Sequence, residues 1–436
     1  MGINFEKYFN HLEKSNLIKY SGKVSKIVGL TIESQGPAVE VGEICKIYPL
    51  KGTDPIDAEA VGFRGTTVLL MPLGDMKGIG PGSKVFATGG VMNVDVGDNL
   101  LGRVLDGLGN PIDGYDTPLT YKRYPVSNMP PNPLLRKKIR EILPLGVRAI
   151  DSLLTCGKGQ RIGIFAGSGV GKSTLMGMIA KNTEADINVI ALIGERGREV
   201  REFIENELGE EGLERSVVIV ATSDQPALIR VKGALLATAV AEYFRDQGKD
   251  VILMMDSLTR FSMAQREVGL AIGEPPVTKG YTPSVFAMLP KLLERAGTSD
   301  KGSITGLYTV LVDGDDFNEP ISDTTRGILD GHIILSRKLA SLGHYPAIDI
   351  LNSVSRVMPL IVDDGHMESA ILFREILSIY KDAEDLITIG AYENGSNPKI
   401  DYAISKIDTL NDFLKQRVKE FTSYEDTIVG LKGIVN

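Results

Sequence analysis

Residues Ile162 to Thr174 read Ile-Gly-Ile-Phe-Ala-Gly-Ser-Gly-Val-Gly-Lys-Ser-Thr, an apolar strand, a glycine-rich turn and a helix start in immediate succession. A chain carrying this order must run a buried strand into a helix through a loop suited to a phosphate group. Gly167, Gly169 and Gly171 allow backbone conformations that a side chain would forbid, so successive N–H groups turn inward toward phosphate oxygens. Lys172 adds a compact charge for the terminal phosphates of a nucleoside triphosphate, and the Ser173 hydroxyl suits the shell of a magnesium ion. The helix that opens there aims the positive end of its dipole at the same anion. The expected cradle is Ala166, Gly167, Ser168, Gly169, Val170, Gly171, Lys172, Ser173 and Thr174. Ala166 stands where the strict pattern has its first glycine. Its methyl group is tolerated because the residue still lies at the end of the incoming strand.

A chain of 436 residues has length for two or three domains and a large core. Its 43% hydrophobic and 24% charged residues are those of a soluble globular protein, and a net charge of −8 gives no support to a nucleic-acid footprint. Cys45 and Cys156 alone exclude a disulfide framework or a cysteine zinc site. The histidines, His11, His332, His344 and His366, show no metal-ligand spacing. No apolar run approaches the ~20 residues of a membrane span, and no signal peptide opens the chain, so the expected compartment is a reducing cytoplasm.

Four regions follow one another. Residues 1–20 predict an amphipathic helix with Phe5, Tyr8, Phe9 and Leu12 on one face; packing on its own domain and docking to a partner or membrane surface both remain open. Residues 21–91 carry short alternating stretches near Gly, Pro and Asp, the pattern of a small β-barrel or sandwich. Residues 92–363 predict a nucleotide-binding domain that begins with a linker region, 92–143, rich in Gly, Asp and Pro. After it, apolar strands at Ile162–Phe165, Val189–Ile193, Val217–Ala221, Val251–Met255 and Leu307–Val312 alternate with amphipathic helices such as Arg198–Leu208 and Leu228–Phe244. That alternation indicates an α/β fold with a parallel sheet covered on both faces. Residues 364–436 predict a C-terminal helical domain, with helices over Ser369–Tyr380 and Ile404–Val418.

Hydrolysis of a bound nucleotide needs a group that orients water, an anchor for magnesium and positive charge for the transition state. Each has a candidate at the carboxyl end of a predicted strand, where such sheets hold ligands. Glu195 follows Val189–Gly194 and is placed to polarise an attacking water, or to cap the next helix. Asp256 ends five apolar residues, Val251–Met255; a buried charge there wants a partner such as a magnesium shell, and the residue also suits a helix N-cap. Arg196 and Arg260 follow these acids within reach of a γ-phosphate.

The glycine loop, Gly194-Glu-Arg-Gly-Arg-Glu, Met255-Asp-Ser-Leu-Thr-Arg and Ser353-Val-Ser-Arg occur in the order found in catalytic subunits of rotary ATPases, which the chain resembles. Met263-Ala-Gln-Arg-Glu-Val-Gly-Leu-Ala-Ile-Gly-Glu-Pro-Pro, Gly280-Tyr-Thr-Pro-Ser-Val-Phe, Gly314-Asp-Asp-Phe-Asn-Glu-Pro-Ile and Asp330-Gly-His-Ile-Ile-Leu-Ser-Arg are similar to the flagellum-specific branch, the type III export ATPases. The likeness runs from Tyr20 to the end. It implies a RecA-like ATPase core with an N-terminal β-barrel and a C-terminal helical domain. It implies ATP and Mg2+, with Lys172 and Ser173 on phosphate and metal, Glu195 orienting water, Asp256 holding the metal shell, and Arg196 and Arg260 lining the γ-phosphate. Arg356 of Ser353-Val-Ser-Arg becomes an arginine finger for a neighbouring subunit, Tyr345 stacks on adenine, and Tyr392 is the expected second aromatic of that slot.

The same resemblance implies a homo-oligomer, six subunits in a ring, that hydrolyses ATP to support export of flagellar subunits. Its implied partners are a stator-like regulatory protein at the N-terminal helix, an export gate, chaperones and cargo. Its implied place is cytoplasmic, peripheral to the inner face of the membrane near the flagellar base. Rival readings are a virulence injectisome ATPase, an ATP synthase catalytic subunit and a hexameric RNA translocase. Residues 21–91 lack the aromatic and basic cluster that an RNA platform needs. A regulatory subunit without turnover is a further rival, against which the presence of Glu195 argues.

Overall fold

The computed structural model describes residues 20–52, 54–120, 122–312, 314 and 316–435. The Phe5–Leu12 stripe therefore lies outside the described residues. The chain divides into two compact units, one drawn from Met1–Asn93 and Glu267–Pro275, the other from Val94–Arg266 and Pro276–Asn436.

In the first unit, among the described residues, six strands close a barrel. They are β1 (Ser21–Val28), β2 (Thr31–Gln35), β3 (Glu43–Tyr48), β4 (Ile56–Arg64), β5 (Thr67–Pro72) and β6 (Lys84–Val91), in the spatial order β1-β2-β5-β4-β3-β6. All pairings are antiparallel. Alternation sends Val24, Ile32, Cys45, Ile47, Ala58, Ala60, Val68, Leu70 and Val85 inward to fill the barrel. Register shifts in β1, β3 and β4 supply the bends that closure needs.

In the second unit, β7 (Asn93–Val96) pairs with β9 (Lys122–Pro125) in a separate ribbon. The main sheet holds β8 (Val104–Asp106), β10 (Arg161–Ala166), β11 (Ile187–Ile193), β12 (Ser216–Ala221), β13 (Asp250–Asp256), β15 (Ser303–Leu311) and β16 (Gly331–Leu335), all parallel, in the order β16-β10-β15-β13-β11-β12-β8. The short β14 (Gly297–Thr298) and β17 (Val354–Ser355) pair antiparallel with β15 and β16. Every residue of β11 and β12 is buried. Successive side chains point to opposite faces, so the sheet is covered on both.

The segment read as a linker contributes β8 as an edge strand beside β12, and Gly102 and Arg103 before it already bond to Ser216 and Val218. The longer helices are α1 (Lys172–Asn182), α2 (Ala227–Asp246), α3 (Leu258–Ile272) and α4 (Pro283–Leu293), followed by α5 (Asp364–Thr388), α6 (Pro398–Leu414) and α7 (Tyr424–Val435). Asp363 caps α5 through the His366 N–H at 2.8 Å, and Asn397 with Pro398 opens α6. Phe373, Ile376, Leu377, Ala403, Leu410, Phe413 and Leu431 join α5–α7 to the same apolar core as Leu153 and Ile150.

Two expected helices differ from the structure. The expected helix Ile404–Val418 stops at Leu414, because Gln416 donates its backbone N–H to the Tyr345 carbonyl and its side chain to Gly146 and Glu420 carbonyls. The expected α-helix Arg198–Leu208 is α-helical only over Gly197–Glu202 and continues as a π-helix over Phe203–Leu208. The wider turn carries Glu207 against α1, where a Cβ on Gly177 would meet Glu207 atoms at 2.7 and 2.9 Å.

Candidate functional site

Strand β10 delivers the chain to the glycine loop. Ala166 is buried at its end, where its carbonyl accepts the Val312 N–H at 3.0 Å, so the methyl group sits inside the sheet. Gly169 (φ 76°) and Gly171 (φ 89°) take the left-handed conformation that side chains disfavour. Val170 is buried and anchors the loop, while Ser168 and Gly169 are exposed. Helix α1 starts directly after Gly171, whose carbonyl accepts the Leu175 N–H at 2.9 Å. Of the two hydroxyls on its first turn, Thr174 donates to Glu207 at 3.0 Å, and Ser173 is exposed.

The register of β11 with β13 sets Leu192 opposite Asp256, so the end of β13 and the Gly194–Glu195 turn beyond β11 lie side by side. The Lys172 ammonium reaches both. Its Nζ lies 2.5 Å from Asp256 Oδ1 and 3.7 Å from Glu195 Oε1. Burial opposes the charge on Lys172, but Asp256 and Glu195 more than offset it and hold the ammonium above its ordinary pKa. Burial, then repulsion from Asp256, pushes Glu195 up to about 7 against the pull of Lys172.

Among the described residues, Glu195 Oε1 and Arg260 Nε are buried without a hydrogen-bond partner. Arg260 lies directly over Gly194, where a Cβ would meet its side-chain carbons at 2.7 to 3.3 Å. Lys172, Glu195, Asp256 and Arg260 thus converge at the carboxyl ends of neighbouring strands beside the glycine loop.

Arg196 does not join them. Its side chain is 73% exposed and turns outward to Glu199 at 3.7 Å. Arg356 is exposed at the opposite end of the sheet. Its backbone N–H bonds the Asp330 carbonyl, and Asp330 binds Arg161 at the start of β10. Five strand steps, about 16 Å, separate that level from Ala166. Among the described residues, its guanidinium meets the Arg326 carbonyl at 3.4 Å and no carboxylate.

Behind the loop, Tyr345, Pro346, Gly171, Thr174 and Leu175 border a cavity of about 760 Å³. The Tyr345 ring is half exposed and lies 3.5 Å from where a Gly171 Cβ would stand. The C-terminal wall of this cavity is Asp412 and the Lys415–Val418 run with Glu420, not Tyr392. Tyr392 is held in the loop between α5 and α6 by Asp401 at 2.9 Å and the Asn397 carbonyl, and among the described residues no aromatic from that domain borders the slot. Sequence reading also passed over Arg148, which bonds the Phe413 and Lys415 carbonyls and Glu420 and pins this wall. Its partners lie some 270 positions away, and no local pattern points to them.

The donors are hard oxygens, which suits magnesium. Among the described residues no group of three or more His, Cys, Asp or Glu forms an all-protein metal cage. One carboxylate and one hydroxyl, with phosphate and water supplying the rest, is the pattern magnesium favours. Among the described residues no helix is long and apolar enough to cross a membrane.

Comparison with known proteins agrees in all three regions. Residues 24–89 match the β-barrel domain of the ATP synthase alpha/beta family, 146–355 its nucleotide-binding domain, and 362–433 the C-terminal domain of the type III secretion ATPase EscN. The chain is 59% identical to the flagellum-specific ATP synthase of Bacillus subtilis, with 97% of each chain covered. It is 50% identical to that of Salmonella typhimurium over 95% of this chain and 93% of the relative. The assembled EscN ATPase from enteropathogenic E. coli superposes with a TM-score of 0.91 at 49% identity, over 95% of this chain and all of that one.

Proposed function

The chain belongs to the ATP synthase alpha/beta family, and we propose that it is a flagellar type III export ATPase that hydrolyses ATP to ADP and phosphate. The observation that carries the reaction is the buried cluster of Lys172, Asp256 and Glu195 beside the glycine loop. The flagellar assignment follows from identities of 59% and 53% to flagellum-specific relatives, against 50% to a type III secretion ATPase.

Phosphate oxygens enter the glycine loop and draw the Lys172 ammonium from Asp256 onto the terminal phosphates. Ser173 and Asp256 would hold magnesium, which would supply charge neutralisation to the phosphate oxygens. Glu195, ionised, accepts a hydrogen bond from the attacking water and turns its lone pair toward the γ-phosphorus. Arg260 offers its unpartnered Nε–H toward the same region. Arg196 reaches the phosphate only by swinging inward from its exposed position. Tyr345 receives the adenine ring at the mouth of the cavity beside Gly171.

Solved relatives form an assembled EscN ATPase and a complex of it with its central stalk EscO. By that likeness this chain works as a homo-oligomer, a six-membered ring, in which Arg356 serves a neighbour's site. The N-terminal segment receives a stator-like regulatory partner, and the ring lies in the cytoplasm at the export gate, where chaperones deliver cargo.

The test is an ATPase assay joined to swimming motility. Wild-type protein turns over Mg-ATP and restores motility to a flagellar export ATPase deletion strain. The Glu195→Gln variant binds nucleotide without turnover. Full turnover by that variant overturns the chemistry, and failure to restore motility by an active wild type overturns the flagellar assignment.

A further inference from the structure

Strand β15 lies between β10 and β13, the two strands that carry the glycine loop and Asp256, and it holds a polar residue inside an apolar run. Thr309, in Leu307-Tyr-Thr-Val-Leu, is fully buried and pairs in register with Ile164 of β10. On its other side, the pairing of Met255 with Tyr308 brings Thr309 level with Asp256. An apolar side chain would fill this position equally well for packing. The hydroxyl instead lies 2.8 Å from Asp256 Oδ1 and 3.3 Å from the Met255 carbonyl oxygen. A hydroxyl donates one hydrogen, and the shorter, charged acceptor takes it.

Lys172 Nζ reaches the same Oδ1 at 2.5 Å. Among the described residues no hydrogen bond is made to Oδ2. The two carboxylate oxygens are thereby divided, one held by the protein and one turned to the site.

We propose that Thr309 is a positioning residue that grips Asp256 by Oδ1 and so presents Oδ2 to the water shell of a magnesium–nucleotide. The inference rests on the ATPase reading above. When phosphate draws Lys172 away, Asp256 loses its ion pair, and a buried carboxylate with no remaining donor is both costly and free to rotate. The Thr309 hydroxyl does not leave. It is fixed by a β-branched side chain with few rotamers on a strand bonded on both sides. The carboxylate plane therefore survives the departure of Lys172.

The test compares wild type with Thr309→Val, which keeps the shape and removes the donor, and Thr309→Ser, which keeps the donor. Binding of the fluorescent, non-hydrolysable analogue mant-AMP-PNP is titrated with magnesium and with EDTA, and thermal midpoints are recorded. Thr309→Val loses about tenfold of the tightening that magnesium gives, as removal of a hydrogen bond to a charged group implies. Its affinity in EDTA stays at the wild-type value, its midpoint falls by no more than the loss of one buried hydrogen bond explains, and Thr309→Ser restores both the midpoint and the magnesium response. Should Thr309→Val not fold, the comparison of Thr309→Ala with Thr309→Ser reads the same quantity. An unchanged magnesium response on loss of the hydroxyl overturns the proposal. So does a serine variant as defective as valine, which would make the methyl group the cause. Wild-type protein with no magnesium-dependent binding overturns the ATPase reading as well, and so separates the two failures.

Discussion

At the scale of single residues, the site depends on one ammonium balanced between two carboxylates. Burial and Asp256 raise Glu195 to about 7, so half of it is ionised near neutral pH. In its proposed role the ionised form is the stronger acceptor and the one able to draw on the attacking water's proton, so turnover is expected to decline as pH falls through about 7. Glu195→Gln lowers kcat at least about a hundredfold, checked by phosphate release at saturating ATP. The same shift has a stability signature. A carboxyl group whose folded value lies above its unfolded one supports the fold below about 4.5, and that support is lost as pH rises through about 7. Glu195→Gln therefore raises the thermal midpoint at pH 8 and leaves it nearly unchanged at pH 5. The opposite ordering in a melting series would show the carboxylate to be stabilised by Lys172 more than penalised by burial.

At the scale of elements, the wall of the nucleotide cavity is a loop held from a distance. The apolar spacing from Ile404 onward suits a helix through Val418, yet Arg148 and Gln416 bond the 413–420 backbone and end the helix at Leu414. Hydrogen bonds from outside a segment override its periodicity, and the sequence carries no local trace of them. Tyr392 was expected in that wall from the family resemblance, and the bonds that hold it in the loop after α5 leave no trace in the sequence. Arg148→Ala releases the wall without touching the phosphate site. It raises KM for ATP about fivefold with kcat within about twofold, the loss expected for one or two hydrogen bonds. Faster amide exchange over residues 415–423 is the accompanying readout. Unchanged exchange there would show that Arg148 does not hold the loop.

At the scale of the whole molecule, Arg356 stands apart from the cations of its own glycine loop. Lys172 and Arg260 are beside the glycine loop, whereas Arg356 is exposed at the far end of the strands with no carboxylate partner among the described residues. On the proposed reading, a guanidinium in that place serves a neighbour's nucleotide. Activity per subunit should then rise steeply with protein concentration as rings assemble, since such a finger contributes roughly a thousandfold or more. Arg356→Ala keeps nucleotide affinity and loses the concentration-dependent part of turnover. A variant with wild-type turnover at high concentration would rule this residue out as the finger.

Much of this protein was determined by its sequence alone. Strand–loop–helix order and glycine placement dictate the phosphate cradle, because both act within a dozen consecutive residues. Apolar runs closed by Glu195 and Asp256 mark strand ends for the same local reason. The short alternating stretches of 21–91 predict strands, although their closing order β1-β2-β5-β4-β3-β6 depends on pairings between distant segments. Only the tertiary structure decided which acids share Lys172, that Arg196 points away, that Thr309 stands behind Asp256, and that the cavity is walled by residues 412–420. Each depends on strand register or on contacts tens to hundreds of residues apart. Hydrophobic periodicity specifies that a residue is buried, and not what it meets there.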